Sequence, residues 1–194
     1  MTPWTGESTV IPPVTVTAAG VAYVDPVQDA LARDLDGALW ALCEGTAAGK
    51  PEYANPLHPE RQREAMDGFL CACCKKPAAR NQDGMLWVLP LLNRAADTRW
   101  EGITCGIPPM CESCGESAPR YCPRLREGHV TLRVKEAELI GMRGTLYPRP
   151  GAPGIPQPDT LVRYGSPDLP FVVAHEAVRE LCEITVVGFG TAIP

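Results

Sequence analysis

Two short cysteine motifs set the framework of this chain, Cys71-Ala-Cys-Cys74 and Pro108-Pro-Met-Cys-Glu-Ser-Cys-Gly115. Each contains a Cys-x2-Cys pair, Cys71 with Cys74 and Cys111 with Cys114. Two such turns bring four soft thiolates together, which is the ligand set that a tetrahedral zinc ion takes. Four protein ligands leave no coordination position for water. The motifs therefore predict one closed zinc site that serves the fold.

The spacing of the pairs leaves the ligand set open. The 36 residues between Cys74 and Cys111 exceed the usual zinc-ribbon spacing of roughly 15–20. Four other residues are candidates to replace a ligand or bind a second ion: Cys73, Cys105, Cys122 and His129. A redox pair beside Lys75 and Lys76 is a further alternative, although two separate pairs favour a metal.

Composition indicates a globular chain whose cysteines are free thiols and not disulfides. With 194 residues and 45% hydrophobic content, the chain is long enough to bury a core within one domain or a domain with a small appendage. It has no apolar run of about 18 residues and no signal core at the N-terminus. Its nine cysteines are paired as in metal sites, so we expect a cytoplasmic location and no membrane.

The net charge of −5 hides a basic middle segment. Residues 61–150 contain 14 Lys and Arg against 10 Asp and Glu, whereas residues 1–60 contain 2 against 8. The cluster that makes the middle basic consists of Arg120, Arg124, Arg126, Arg133, Lys135 and Arg143. The acidic flanks argue against non-specific nucleic-acid binding, which depends on many Lys and Arg contacts to phosphate.

The N-terminal third predicts an arm followed by a long helix. Prolines and the alternation Val14-Thr-Val-Thr17 allow at most one short strand in residues 1–20. Asp25-Pro26 is an N-cap followed by proline at the first helical position. Apolar residues then recur on one face until Gly45, namely Val27, Leu31, Leu35, Leu39 and Leu42, and predict its buried side.

The middle segment predicts a helix and hairpin around the first cysteine pair. A helix is expected from Glu60 to Phe69, followed by a turn at Asn81-Gln-Asp-Gly84 and a strand at 85–89. Residues 130–135 and 139–147 read as two strands, the second with a glycine bulge.

The C-terminal segment predicts a strand, a helix and a strand. Residues 148–158 are too rich in proline for a regular element. A strand is expected at 160–164, an amphipathic helix from Val172 to Cys182, and a last strand at 184–187. Cys43 and Cys182 fall in helical patterns and are interpreted as buried thiols.

The predicted fold class is α+β, a small mixed sheet with two or three helices around a zinc-ribbon or treble-clef-like core. The predicted domains are an extended arm at 1–24, a helical and zinc-binding domain at 25–147, a proline-rich loop at 148–158, and a strand-helix-strand unit at 159–194 packed on the same domain.

The cysteine motifs together with Trp87-Val-Leu-Pro90 and Cys122-Pro-Arg-Leu-Arg126 resemble small uncharacterised proteins of actinobacteria and their phages. The resemblance covers roughly the middle of the chain. It implies metal binding and assigns no catalytic residue.

Enzyme signatures are incomplete. A zinc deaminase combines His-x-Glu with Pro-Cys-x-x-Cys. His58-Pro-Glu60 is present, but Met110 replaces the proline, and Gly115 and Pro119 argue against the helix that should follow. His175-Glu-Ala-Val-Arg179 lacks the second histidine of a zinc protease. Residues 75–110 contain no histidine for a His-Asn-His nuclease.

Three functions follow as hypotheses. The first is a zinc-stabilised adaptor that binds another protein. The second is a nucleic-acid reader that uses the basic cluster, in particular Arg120, Arg124, Arg126, Arg133 and Lys135. The third and weakest is a deaminase-like hydrolase in which Glu60 moves the proton.

Overall fold

The computed structural model describes residues 2–53, 56–91 and 99–190, which form a mixed α+β fold. Its helices are α1 (Pro26–Ala32), α2 (Pro59–Gly68), α3 (Glu112–Tyr121) and α4 (Pro123–Arg126). The predicted class is confirmed, although this part of the chain has four helices instead of two or three. None of these helices has the length and hydrophobicity needed to cross a membrane.

The described residues also form eleven strands. They are β1 (Glu7–Val10), β2 (Val14–Thr17), β3 (Gly20–Tyr23), β4 (Leu39–Trp40), β5 (Leu42–Gly45), β6 (Arg80–Asn81), β7 (Gly84–Pro90), β8 (Ile103–Cys105), β9 (His129–Leu146), β10 (Gln157–Arg163) and β11 (Val172–Gly190). A short 3₁₀ turn, Leu169–Phe171, precedes β11.

The main sheet is built around one long antiparallel pair, β9 and β11. Their register runs from Val172 opposite Leu146 to Gly190 opposite His129. The strand order is β4-β11-β9-β7-β6, with β10 also pairing β9 and β8 also pairing β11. The β4–β11 pair is parallel, so the sheet is mixed as predicted, but its seven strands make it larger than expected.

Residues 172–182 form the first half of β11 and not a helix, so the predicted strand-helix-strand unit is wrong at its centre. The register shifts between Ala174 and Glu176, and again between Val178 and Arg179. Each bulge adds a residue and moves the following side chains to the other face. Buried residues consequently recur in groups, 172–174 and 177–179, at a spacing that imitates the helical period.

The helix predicted from Pro26 to Gly45 ends at Ala32. The Asp34 carboxylate accepts hydrogen bonds from the backbone of Asp36 and Ala38 and from the Trp40 indole, at 2.7–3.0 Å. Gly37 completes this turn with φ +80°, a conformation that favours glycine. The chain then continues as β4, where tertiary pairing with β11 overrides helical periodicity.

The N-terminal residues form strands where an extended arm was expected. β1 pairs with β5, and β2 pairs with β3. Val21 and Tyr23 are buried in a cluster with Leu39, Ala41 and Val173. The expectation of at most one strand before residue 20 is wrong, because Glu7–Val10 forms a second strand by pairing with the distant β5.

Several local predictions are confirmed. The helix expected at 60–69 is α2, and the hairpin expected around 81–84 is formed by β6 and β7. Gly84 takes φ +119° in this turn, close to the backbone of Val134. Residues 130–135 and 139–146 are strand as expected, one residue short of the predicted end, but they belong to one continuous strand, β9.

Candidate metal centre

Helix α2 leads the chain into the first cysteine pair, and two polar side chains hold this helix on the sheet. The fully buried Gln62 amide donates to the carbonyls of Gly106 and Ala177 at 2.7 and 2.8 Å, and accepts from the Ala177 N–H at 2.9 Å. It thereby satisfies backbone groups beside the first bulge of β11. The sequence carried no signal for this role of Gln62.

Arg179 fixes the end of α2. Its Nε and Nη2 donate to the Met66 carbonyl at 3.0 and 2.6 Å, and its guanidinium lies 3.9 Å from the centre of the Phe69 ring. A cation at this end of a helix satisfies a carbonyl that has no partner within the helix. In the sequence, Arg179 was noted only as the residue that spoils a zinc-protease motif.

The first cysteine pair lies on a tight turn that begins immediately after α2. Phe69 leaves the helix with φ +50°, and Lys75 has φ +60°. The Cys71 N–H donates to the Lys76 carbonyl at 2.7 Å, and the Lys75 N–H donates to the Cys71 carbonyl at 3.1 Å. This closed turn directs the Cys71 and Cys74 sulfurs toward the same point.

The second pair opens a helix. Cys111 is the N-cap of α3 with an extended backbone, and its side chain makes no cap hydrogen bond, which leaves the sulfur available to a metal. Cys114 follows in the first turn. The argument that Gly115 and Pro119 prevent a helix here is wrong. Gly115 lets α3 approach the sheet, since a Cβ there would lie 2.9 Å from Leu86 Cδ2. Pro119 lies in the last turn of α3, so its missing N–H and its ring disturb only the end of the helix.

Backbone hydrogen bonds tie the two cysteine segments together. Ala72 donates to the Pro109 carbonyl at 2.8 Å, and Ala79 donates to the Met110 carbonyl at 2.9 Å. Met110 in turn donates to Leu86 of β7 at 2.9 Å. The segments therefore meet without depending on a metal alone.

The four predicted cysteines come together. The sulfurs of Cys71, Cys74, Cys111 and Cys114 all lie within 4.8 Å of one another. The Cys74 and Cys111 sulfurs are 3.7 Å apart. Two sulfurs on a tetrahedral zinc, each at about 2.3 Å, are separated by roughly 3.8 Å, whereas a disulfide requires about 2.05 Å. The spacing suits a shared ion and excludes a disulfide between this pair.

The protein environment favours thiolates at two of the four positions. The pKa of Cys71 is lowered by a hydrogen bond from the Cys73 thiol and by backbone amides, including that of Cys111. The pKa of Cys111 is lowered first by the Ser113 hydroxyl. Burial raises the pKa of Cys114. A metal ion would deprotonate all of the ligands, because thiolates are the binding form.

Exposure differs among the four cysteines. Cys71 is buried, Cys111 and Cys114 are half-buried, and Cys74 is exposed. The group therefore has a protein side, formed by a core cluster that contains Leu86, and a solvent side at Cys74.

The alternative ligands lie outside this group. These are Cys73, Cys105, Cys122 and His129. Cys105 is buried on β8 with its sulfur 3.4 Å from the Ile107 carbonyl, and the His129 Nδ1 is 3.1 Å from the Leu125 carbonyl. Cys43 and Cys182 are half-buried on strands, not buried on helices as interpreted from the sequence.

His58 and Glu60 do not join the cysteines. His58 is buried at the N-terminus of α2, where its Nδ1 accepts from the Arg61 N–H at 3.5 Å. Its Nε2 lies 3.9 Å from the Glu7 carboxylate, and burial lowers its pKa. Glu60 lies in the first turn of α2 as expected. The ligand set of a deaminase is not assembled.

An apolar cleft of about 580 Å³ lies beside the centre. Its walls include Val88, Ile107, Met110 and Leu125, and the Glu176 carboxylate also lines it. Burial raises the pKa of Glu176, although the Arg143 Nε is 3.3 Å from its carboxylate. The cleft is a recess of ligand size, and among the described residues no second group of metal ligands lines it.

The basic cluster is partly neutralised by ion pairs. Arg133 pairs with Glu112 at 2.6 Å, Lys135 with Glu183 at 4.0 Å, and Arg143 with Glu176 at 3.3 Å. The remaining members, which include Arg120, lie on α3 and α4. The sequence cluster is thus divided between a helical pair and a long strand, and each of the three strand members pairs with a carboxylate.

The fold and site together define an α+β chain with a four-cysteine group able to hold a metal ion. Comparisons with protein-family models, with curated proteins and with solved structures found no match to this chain.

Proposed function

We propose that this chain is a zinc-stabilised protein-interaction module, with one structural zinc ion held by Cys71, Cys74, Cys111 and Cys114. The observation that carries the zinc proposal is the approach of these four sulfurs to within 4.8 Å of one another. Soft thiolates in this number favour zinc over oxygen-seeking ions such as magnesium or calcium.

The local chain order supports a treble-clef-like arrangement over a zinc ribbon. One ligand pair comes from a tight turn, a hairpin of β6 and β7 follows, and the second pair comes from the first turn of α3. In a zinc ribbon, both pairs would come from hairpin turns. The ion would join the end of α2 to the start of α3, and buried residues of both segments belong to one apolar cluster with Leu86 and Val88 of β7.

A structural role fits this ligand set better than a catalytic one. A catalytic zinc keeps one position open for water or substrate, whereas four cysteines fill the tetrahedron. The residues that a hydrolase would need, His58 and Glu60, belong to the N-terminus of α2 and lie outside the group. A compartment that keeps thiols reduced, such as the cytoplasm, suits such a centre.

The interaction part of the proposal is supported by apolar side chains that the fold leaves in solvent. Val27 and Leu31 of α1 are 66% and 80% exposed. Exposed apolar patches commonly mark contact surfaces. Nucleic-acid binding is the weaker candidate, because three of the basic side chains already pair with carboxylates. Failure of duplex and single-stranded probes to bind at low salt would remove it.

Metal analysis of the purified chain tests the zinc proposal. We expect one zinc per chain, and chelation should unfold the segment around α3 and α4, with a loss of helical circular dichroism and of amide protection at 110–126. A chain that keeps its full fold after complete metal removal would refute a structural role. Two ions per chain would refute the single-ion assignment. The other cysteines would then be candidate ligands of the second ion.

A further inference from the structure

Two consecutive residues of β11, His175 and Glu176, both line the apolar cleft beside the cysteine group. In a regular strand, consecutive side chains point to opposite faces of the sheet. The register of β11 against β9 shifts between Ala174 and Glu176, and a bulge of this kind redirects a side chain. The bulge therefore places an imidazole and a carboxylate in the same cleft, whose other walls are mostly apolar.

The Glu176 carboxylate has one oxygen in an ion pair and one without a hydrogen-bond donor. The Arg143 Nε lies 3.3 Å from Oε2. Oε1 lies over Gly106, where a Cβ atom would displace it, so the glycine makes the room that the carboxylate occupies. Among the described residues, no group donates a hydrogen bond to Oε1. This half-buried oxygen is therefore an acceptor for a ligand group that carries a hydrogen.

Asp159 of β10 supplies the second carboxylate of the cleft. It lies where the register against β9 shifts, between Gln157 and Thr160, and has φ +53°. Such a backbone conformation is uncommon outside glycine and clusters at functional positions. The Asp159 carbonyl accepts from the Arg143 Nη1 at 3.3 Å, and its carboxylate lies 3.5 Å from the His175 Nε2. Irregularities in both strands that pair with this part of β9 thus build the polar group.

The charges of this group leave one carboxylate unbalanced. Glu176 pairs with Arg143, and burial lowers the pKa of His175, so the imidazole beside Asp159 is uncharged at neutral pH. Arg124 also lines the cleft, but the charges that act on Glu176 are those of Arg143 and Asp159. A ligand with one positive charge would balance the group and would favour the ionised form of the half-buried carboxylate.

We propose that the cleft binds a small apolar amine, with its ammonium group facing the carboxylates of Glu176 and Asp159 and its apolar body against Val88, Ile107 and Met110. The volume of about 580 Å³ lies within the range of small-molecule sites. Such sites combine mostly apolar walls with a few polar groups that fix the orientation of the ligand. An anionic ligand would meet two carboxylates, and a neutral alcohol would supply the hydrogen but not the charge. This site is separate from the protein-interaction surface proposed above.

The test compares ligands of the same shape that differ in one group, namely phenylbutylamine, phenylbutanol and phenylbutanoate. Binding to the zinc-loaded chain is followed at neutral pH by isothermal titration calorimetry and by the amide NMR shifts of the chain. We expect saturable binding of the amine, with shifts at the residues that line the cleft. The alcohol should bind at least about tenfold more weakly, because it lacks the charge, and the carboxylate should not bind.

Variants then assign the binding to the polar group. Glu176→Gln keeps the size of the side chain and removes its charge. It should weaken amine binding at least about tenfold and leave alcohol binding unchanged, which separates a lost charge from a damaged cleft. Asp159→Asn, at an exposed side chain, should weaken amine binding several-fold. Glu180→Gln is the matched control and should change nothing, because Glu180 lies on the same strand and pairs with the exposed Arg163 at 3.3 Å.

Several results would overturn the proposal. These are no saturable binding of the amine, equal binding of the amine and the alcohol, and unchanged amine binding by Glu176→Gln. If that variant does not fold, unchanged amine binding by Asp159→Asn refutes the proposal instead. Preferential binding of phenylbutanoate would also refute it and would assign the cleft to acids held by Arg124. A chain that holds one zinc and binds no amine contradicts this site alone and leaves the metal proposal intact.

Discussion

The Gln62→Leu substitution should destabilise the protein strongly although it makes a core side chain more hydrophobic. Gln62 is fully buried, and its amide makes three hydrogen bonds of 2.7–2.9 Å to Gly106 and Ala177. Leucine has nearly the same size and no polar atoms. The substitution therefore leaves one backbone N–H and two carbonyls without the partner they have in the wild type.

The expected magnitude follows from these three bonds. Each buried polar group left unsatisfied costs about 1–3 kcal/mol, and the extra apolar burial of leucine returns about 1 kcal/mol. For three groups the net loss is about 2–8 kcal/mol, and we take about 4 kcal/mol as the working value. For a chain of this length, 1 kcal/mol corresponds to roughly 2–4 °C in melting temperature. We therefore expect the melting temperature to fall by about 10 °C.

Differential scanning calorimetry of the zinc-loaded chain measures this effect. Gln82→Leu is the matched control, because it makes the same chemical change at an exposed residue in the β6–β7 turn. The control should shift the melting temperature by no more than about 2 °C. If the two variants melt at the same temperature, the amide does not attach α2 to β11 as described.

Three further changes probe the metal centre and its supports. Cys114→Ser should lower the bound zinc below one per chain and weaken amide protection of α3, because the closed set loses a thiolate; metal analysis and hydrogen exchange measure this. Arg179→Met should lower the free energy of unfolding, measured in urea, by about 3 kcal/mol, because the Met66 carbonyl loses charged donors. Glu7→Gln should lower the melting temperature at pH 7. The Arg61 guanidinium lowers the pKa of Glu7 below 4.5, so its stabilisation is present above that pH and is lost on acidification.

Controls separate these effects from general damage. Cys122→Ser should keep one zinc, because Cys122 lies outside the sulfur group; loss of zinc there would contradict the ligand assignment. Arg163→Met is the control for Arg179, because Arg163 is exposed and pairs with Glu180 at 3.3 Å. For Glu7→Gln, the difference in melting temperature from the wild type should shrink on acidification. A difference that grows as the pH falls below 4 would refute the prediction.

Local chemistry made the cysteine group predictable. The two residues between Cys71 and Cys74 fit a tight turn, and the same spacing at Cys111 fits the first turn of a helix. The β6–β7 hairpin was predictable for a similar reason, since Gly84 follows Asn81-Gln-Asp in a typical turn sequence. These features depend on residues within one turn of each other, so distant partners do not alter them.

The long-range sheet was not predictable in the same way. Bulges in β11 gave residues 172–182 a helical burial pattern, and a periodicity argument cannot detect the partner strand that creates them. Asp34-Leu-Asp-Gly37 did carry a turn signal, which the longer apolar pattern obscured. That pattern also misled about location, since Val27 and Leu31 were expected in the core and are exposed.

The position of β11 in the chain has a consequence for folding during synthesis. This strand pairs with β4, β8 and β9 and receives α2 through Gln62, yet it is translated after all of these partners. During translation these earlier segments are therefore made before the strand with which they pair. The cysteines at 71–114 need no such delay, because their neighbours are already available. A metal bound at that stage would fix the cysteine segments of the nascent chain before the sheet closes onto them.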